Sequence, residues 1–112
     1  MNVAAENKKW DAKLNLMITE IALLNIKAGN RQAFENAFAA AQKIISSCNG
    51  YIKHELQQCM ENDHKYLLQV EWNTLEDHTE GFRKSEAYKE WKYLLHHFYD
   101  PFPAVEHYKK IY

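Results

Sequence analysis

Apolar residues change their spacing repeatedly along this chain, and the order of those changes leaves few architectures open. Leu16 to Ile26, LMITEIALLNI, is dense in aliphatic and β-branched side chains and runs into the turn signal KAGN, which marks a first strand. From Arg31 to about Ser47 the spacing lengthens. Phe34, Ala37, Phe38, Ala41, Ile44, Ile45 and Cys48 recur at helical intervals, opposite a face carrying Gln32, Glu35, Asn36 and Lys43. Asn30 is placed to cap this helix, and Asn49 with Gly50 to end it.

Alternation then returns in YIKHELQQC and KYLLQVEW, separated by MENDH. Pairing Leu56 with Leu68 puts Ile52, His54, Leu56 and Gln58 on one face with Tyr66, Leu68, Val70 and Trp72, and leaves the charged and amide residues on the other. Thr74 and Asp77 form a partial capping box opening a short helix, on which Leu75, His78 and Phe82 make one apolar stripe. Ser85 caps a second segment whose inward face is Ala87, Trp91, Leu94, Leu95 and Phe98. Asp100 and the prolines at 101 and 103 stop it, because proline lacks the N–H a helix needs and pushes its predecessor toward extended geometry. AVEHYKKIY reads as the last strand.

Strand, helix, strand, strand, helix, strand is the split βαβ plan, so the expected fold is α+β and ferredoxin-like: βαββαβ, with both helices on one side of a four-stranded antiparallel sheet. The domain is expected over residues 14–112, preceded by a polar arm, residues 1–13, expected to be flexible although Trp10 could dock. At 112 residues one domain buries roughly 65% of its unfolded surface and holds a core without metals or disulfides.

Charge narrows the function classes. With 14 basic and 15 acidic residues interspersed, the chain has no sustained positive field, so neither nucleic acid nor an anionic membrane is an expected partner. No apolar run approaches the roughly 20 residues that span a bilayer, and the opening MNVAAENKKWDAK has no signal-like core, so a cytoplasmic location is expected. Cys48 and Cys59 are isolated and read as reduced thiols. No metal is expected: His96 and His97 are adjacent on a helix, about 100° apart, and no H-x-x-x-H spacing occurs.

Histidines and aromatics concentrate after Trp72, most densely in HHFYDPFPAVEHY, residues 96–108. His78 sits on an apolar stripe and points toward a cleft between helix and sheet, where a neutral imidazole can take a proton; the alternative is a histidine bonded to a strand carbonyl. His54 shares the apolar face of its strand and is expected to face the same cleft. Trp72, Phe82, Tyr88 and Trp91 could wall an aromatic-binding pocket or simply fill the core. His107 and Tyr108 alternate on the last strand, so one faces the helices and the other the far side of the sheet.

The stretch VEWNTLEDHTEGFRKSEAYKEWKYLLHHFYDPFPAVEHY has a strand ending in Trp, a short helix with an inward His, an S-x-x-Y helix start and a final strand after proline. In this it resembles the antibiotic biosynthesis monooxygenase family, over about residues 16–112. The resemblance implies a dimeric α+β barrel, a homodimer whose two sheets pack by the faces their helices leave bare. The resemblance does not fix the reaction, since the family includes cofactor-free oxygenases of phenols and quinols as well as haem-degrading enzymes; the expected activity is that of a monooxygenase that oxidises a small phenolic or quinol-type molecule without a cofactor. His78 would then be the general base, and His54, Trp72, Phe82, Tyr88, Trp91 and His107 would surround the substrate. A haem-degrading branch of the family uses an Asn on the first strand, a Trp on the short helix and a His on the longer one. Ala22, Gly81 and Lys92 stand at about those places, so the axial ligand is missing. A dimeric domain that holds an apolar ligand without turning it over is the remaining alternative.

Overall fold

The computed structural model describes residues 17–112; the expected arm at 1–13 lies outside the described residues. Eight residues form β1, Ile18–Asn25, whose Glu20, Ala22 and Leu24 are buried in alternation, continued by Ile26 just beyond its end. A turn with Gly29 at φ 79° leads into α1, Arg31–Ile45. Asn30 precedes α1, but its side chain donates to the Ala28 carbonyl at 3.0 Å and does not cap the helix. Phe34, Phe38, Ala41 and Ile45 are the buried edge of α1. The helix stops short of the expected Ser47, with Ser46 and Ser47 hydroxyls turned back on the carbonyls of Lys43 and Ile44.

Gly50, at φ 82°, then turns the chain into β2, Tyr51–Gln58. Only glycine fits there: a Cβ would collide with the Asp77 carboxylate, and the Gly50 carbonyl accepts from the Asn73 N–H at 2.7 Å. β2 pairs with β3, Lys65–Trp72, in the expected register, Leu56 opposite Leu68 and His54 opposite Val70. A register shift between Tyr51 and Lys53 corrects one position: Tyr51, not Ile52, sits across from Trp72, and Ile52 turns outward with 36% of its surface exposed.

The segment after β3 opens with a reciprocal capping box, Thr74 N–H to Asp77 Oδ2 at 3.2 Å and Asp77 N–H to Thr74 Oγ1 at 3.1 Å. It then widens to a π-helical turn over Asp77–Phe82, with the Arg83 N–H donating to the His78 carbonyl five residues back. His78 and Phe82 are buried as expected, while Leu75 falls off the stripe and is 39% exposed. Ser85 Oγ accepts from the Tyr88 N–H at 3.2 Å and caps α2, Glu86–Leu95, which buries Trp91 and Leu95. One 3₁₀ turn, His96–Phe98, carries the chain to β4, Val105–Lys109.

All pairings are antiparallel and the sheet order is β2-β3-β1-β4, the ferredoxin-like arrangement. Both helices cover one face. Tyr66, Leu68, Val70 and Trp72 of β3 enter the core there, while Lys65, Leu67, Gln69 and Glu71 lie half-buried on the far face. β4 settles the alternation at its own position: His107 is the less exposed residue, on the helix side, and Tyr108 lies on the far face, 51% exposed. No helix among the described residues is long and apolar enough to cross a membrane.

Candidate functional site

The layer between sheet and helices is not filled evenly. Under α1, rings interlock: Phe34 lies 5.0 Å from Tyr66, 5.9 Å from Phe98 and 6.1 Å from Phe38, centroid to centroid. Between α2 and the β1–β4 side of the sheet there is instead a cavity of about 360 Å³, within the range of small-molecule sites. β1 contributes Glu20, Ala22 and Leu24 to its floor, and the π-turn contributes His78, Phe82 and the neighbouring Arg83. Tyr88 and Trp91 of α2 form a wall, and His96, Tyr99 and Phe102 close the end toward β4.

At its centre a carboxylate meets an imidazole, both with almost no surface in contact with solvent. Glu20 is 6% exposed and His78 2%. His78 Nε2 lies 3.3 Å from Glu20 Oε1, which also accepts from Trp72 Nε1–H at 2.9 Å. The other imidazole nitrogen, Nδ1, is 2.8 Å from His107 Nε2. Trp72 stacks on the His78 ring, 5.4 Å between centroids and 21° between planes, and so fixes its orientation. Among the described residues no buried side-chain nitrogen or oxygen lacks a partner.

Burial sets the protonation of this group, because a low-polarity interior disfavours either charge. It pushes the Glu20 carboxyl up to about 7, against the opposing pull of the Trp72 hydrogen bond and the positive charge of Arg83. It pushes the His78 imidazole down to about 3, with Arg83 and His107 acting in the same direction. His107 is lowered too, by burial and then by Arg83. Near neutrality His78 is therefore uncharged, and its 3.3 Å contact with Glu20 is not an ion pair. When Glu20 is ionised its carboxylate only accepts, which favours a proton on His78 Nε2, an accepting Nδ1 and a donating His107 Nε2.

Of the residues singled out from sequence, His78, Phe82, Tyr88 and Trp91 meet in this cavity. Trp72 does not reach it: fully buried, it backs His78 from behind. His107 likewise stands behind His78 and does not line the space. His54 corrects the expectation that it faces the same cleft. Its strand position is on the helix side, but β2 is the opposite edge of the sheet from β4, and the ring lies under α1, bonded to Gln42 Oε1 at 3.0 Å and to the Tyr51 hydroxyl at 2.5 Å. His96 and His97 diverge as their spacing requires, His96 to the cavity beside Phe102 and His97 to the outside against Phe98.

Glu20 is the residue sequence reasoning passed over. Its signal was present: it is a carboxylate in phase with Ala22, Leu24 and Ile26 on a strand whose other phase faces away from the helices. Arg83 had none, being one charge among many just past the short helix.

Comparison with known proteins agrees with this architecture. The family model described as antibiotic biosynthesis monooxygenase matches residues 17–93. The uncharacterized protein YczJ of Bacillus subtilis (strain 168) is 61% identical over 95 residues, covering 85% of this chain and 100% of that protein. Among solved structures, a candidate antibiotic biosynthesis monooxygenase from Bordetella bronchiseptica superposes with a TM-score of 0.82 at 30% identity, covering 87% of this chain and 99% of its own. SnoaB of Streptomyces nogalater, a cofactor-independent oxygenase, shares the fold with a TM-score of 0.67 at 15% identity, covering 87% of this chain and 93% of its own. With its sequence matched over most of the described residues and its sheet order, helices and cavity in place, the chain belongs to the antibiotic biosynthesis monooxygenase family.

Proposed function

We propose that the protein is a cofactor-independent monooxygenase of a small phenolic or quinol-type molecule, with Glu20 and His78 acting together on the substrate proton. The observation that carries this reading is the buried carboxylate and imidazole pair opening on a cavity walled by the rings of Phe82, Tyr88 and Trp91. An oxygenase without metal or flavin must turn its substrate into an anion rich enough in electrons to reduce dioxygen. A phenol does so by losing its O–H proton, and a carboxylate titrating near 7 is matched to take it at neutral pH. His78, uncharged and engaged at both nitrogens, holds Glu20 and tunes it. The phenolate ring then gives electrons to dioxygen, forming a carbon–oxygen bond and a peroxide anion that Glu20 reprotonates. Loss of the ring C–H proton with cleavage of the O–O bond leaves a quinone and one water, so phenol plus dioxygen balances quinone plus water. SnoaB, with the same fold, supports the chemistry class.

Two copies of the chain are proposed to pack through the bare faces of their sheets. Ile21, Leu23 and Leu67 lie on that face, Leu23 with 47% of its surface exposed. A monomer at micromolar concentration in sedimentation would remove this part of the reading.

Oxygen uptake with a panel of small phenols and hydroquinones tests the activity. Glu20→Gln is expected to lower turnover by about 10²–10⁴-fold, the usual contribution of a positioned acid or base, and His78→Ala by a comparable factor. If phenols bind but no oxygen is consumed, the protein is instead a domain that stores or senses an aromatic ligand. If neither variant alters an observed turnover, the assigned pair is wrong.

A further inference from the structure

We propose that Glu20, His78 and His107 form a proton file connecting the cavity to the edge of the sheet, with His107 as its outer relay. This rests on the reading of Glu20 as the group that exchanges a proton with the substrate, and it adds a route by which that group exchanges its proton with the edge of the sheet. Glu20 is buried on the inner strand β1, 6% exposed, and faces the cavity. It is not isolated. His78 Nε2 approaches Glu20 Oε1 at 3.3 Å, longer than a tight hydrogen bond. His78 Nδ1 meets His107 Nε2 at 2.8 Å. His107 sits half-buried on β4, the edge strand, paired across to Glu20 itself in the β1 register.

Three groups thus touch in sequence, His78 bridging two residues that are partners across the β1–β4 pairing, and His78 uses opposite nitrogens for its two neighbours. A proton arriving at His107 Nδ1 lets the Nε2 proton pass to His78 Nδ1, and the His78 Nε2 proton pass to Glu20. Each ring gains one N–H and loses one, and one positive charge moves inward to neutralise the carboxylate. From the opposite tautomers, with His78 Nε2 free, the reverse sequence carries a substrate proton outward. Each passage leaves both rings in the other tautomer, ready for transfer in the opposite sense. A purely structural pair of histidines would not need a carboxylate at its inner end and an edge strand at its outer end. The other charged or titratable groups around the file are Arg83, whose positive charge adds to burial in lowering both imidazoles, and His96, Tyr88 and Tyr99 across the cavity.

The test needs no turnover, so it stands apart from the assigned reaction. In ¹⁵N-labelled protein, the exchange of the His78 Nε2 proton with water is measured by NMR in the wild type, in His107→Leu and in His107→Gln. The glutamine amide can still donate a hydrogen bond to His78 Nδ1 but cannot pass a proton on. Exchange about a hundredfold slower in both variants, restored by added imidazole, is the expected result. Normal exchange in His107→Gln with slow exchange in His107→Leu would show that His107 only positions its neighbour and would overturn the file, as would wild-type rates in both. Should turnover of phenols fail altogether while the exchange pattern holds, the file stands and the assigned reaction falls.

Discussion

Two histidines reach into the same layer, His54 from the sheet and His78 from the π-turn, and they live in opposite surroundings. His54 lies under α1, where Phe34, Phe38, Ala41 and Ile45 fill the space and its partners are an amide and a phenol, both neutral. His78 lies beside α2, where the layer is hollow and its partner is a carboxylate. The contrast teaches that an inward histidine is not by itself a sign of chemistry. What marks His78 is the combination of a buried ionisable neighbour with empty space in front of both. Packing in the α1 half supplies rigidity, and the α2 half leaves that layer incomplete where a guest can enter.

The sharpest way to break this contrast is to cut a ring from each half. Phe34→Ala removes a fully buried side chain from an interlocked aromatic cluster and is expected to cost about 3–5 kcal/mol, read from urea unfolding midpoints. Tyr88→Ala, at a half-buried wall that already borders open space, is expected to cost less than half as much. Ligand affinity should respond the other way round, falling for Tyr88→Ala and holding for Phe34→Ala at temperatures where it stays folded. Equal losses of stability would mean that the two halves are packed alike.

A second effect follows from the protonation of the pair. Glu20 is raised in the folded chain, so the stability it contributes is fully present below its ordinary 4.5 and is lost as pH rises through about 7. At about 1.4 kcal/mol per tenfold, that loss is on the order of 3 kcal/mol by pH 8. His78 is depressed, so its contribution is present above its ordinary 6.5 and is lost as pH falls through about 3. Wild-type stability should therefore fall on both sides of a broad maximum. Glu20→Gln cannot ionise, yet its amide oxygen can still accept from Trp72 and His78. It should lose the alkaline decline, keep the acid one, and exceed the wild type in melting temperature at pH 8. A Glu20→Gln variant no more stable than the wild type at pH 8 would show that Glu20 is not desolvated.

How much of this was legible beforehand depends on what kind of interaction fixed each residue. The strand register at Leu56 and Leu68, the Ser85 cap and the inward turn of His78 follow from periodicity and local capping, which any short window carries. The shift that swaps Tyr51 for Ile52 depends on Gly50 being pinned against Asp77, a contact between residues far apart in the chain. The meeting of Glu20, His78 and His107 depends on β1 pairing with β3 and β4 and on the π-turn reaching over them. Alternation places Glu20 inward, but only the assembled sheet brings an imidazole to it. His54 misled for the same reason: its face was readable, whereas its distance from His78 required the strand order, with β2 and β4 at opposite edges.

The smallest expected effect is also the one that tests the contrast most directly. His54→Leu removes the bonds to Gln42 and Tyr51 but leaves a side chain of comparable bulk against Phe38, whose ring lies 5.9 Å away. His54 is only half-buried, so water can reach the two groups left behind, and the net cost should be about 1 kcal/mol. Neither its partners nor its position touches the cavity, so ligand affinity, oxygen uptake and the pH profile should match the wild type. Its own imidazole is held below the ordinary histidine range by burial, so it adds no charge near neutrality whose loss could act at a distance. A shift in the pH profile of the variant would therefore mean that the two histidines communicate through the sheet, and that the filled half belongs to the chemistry after all.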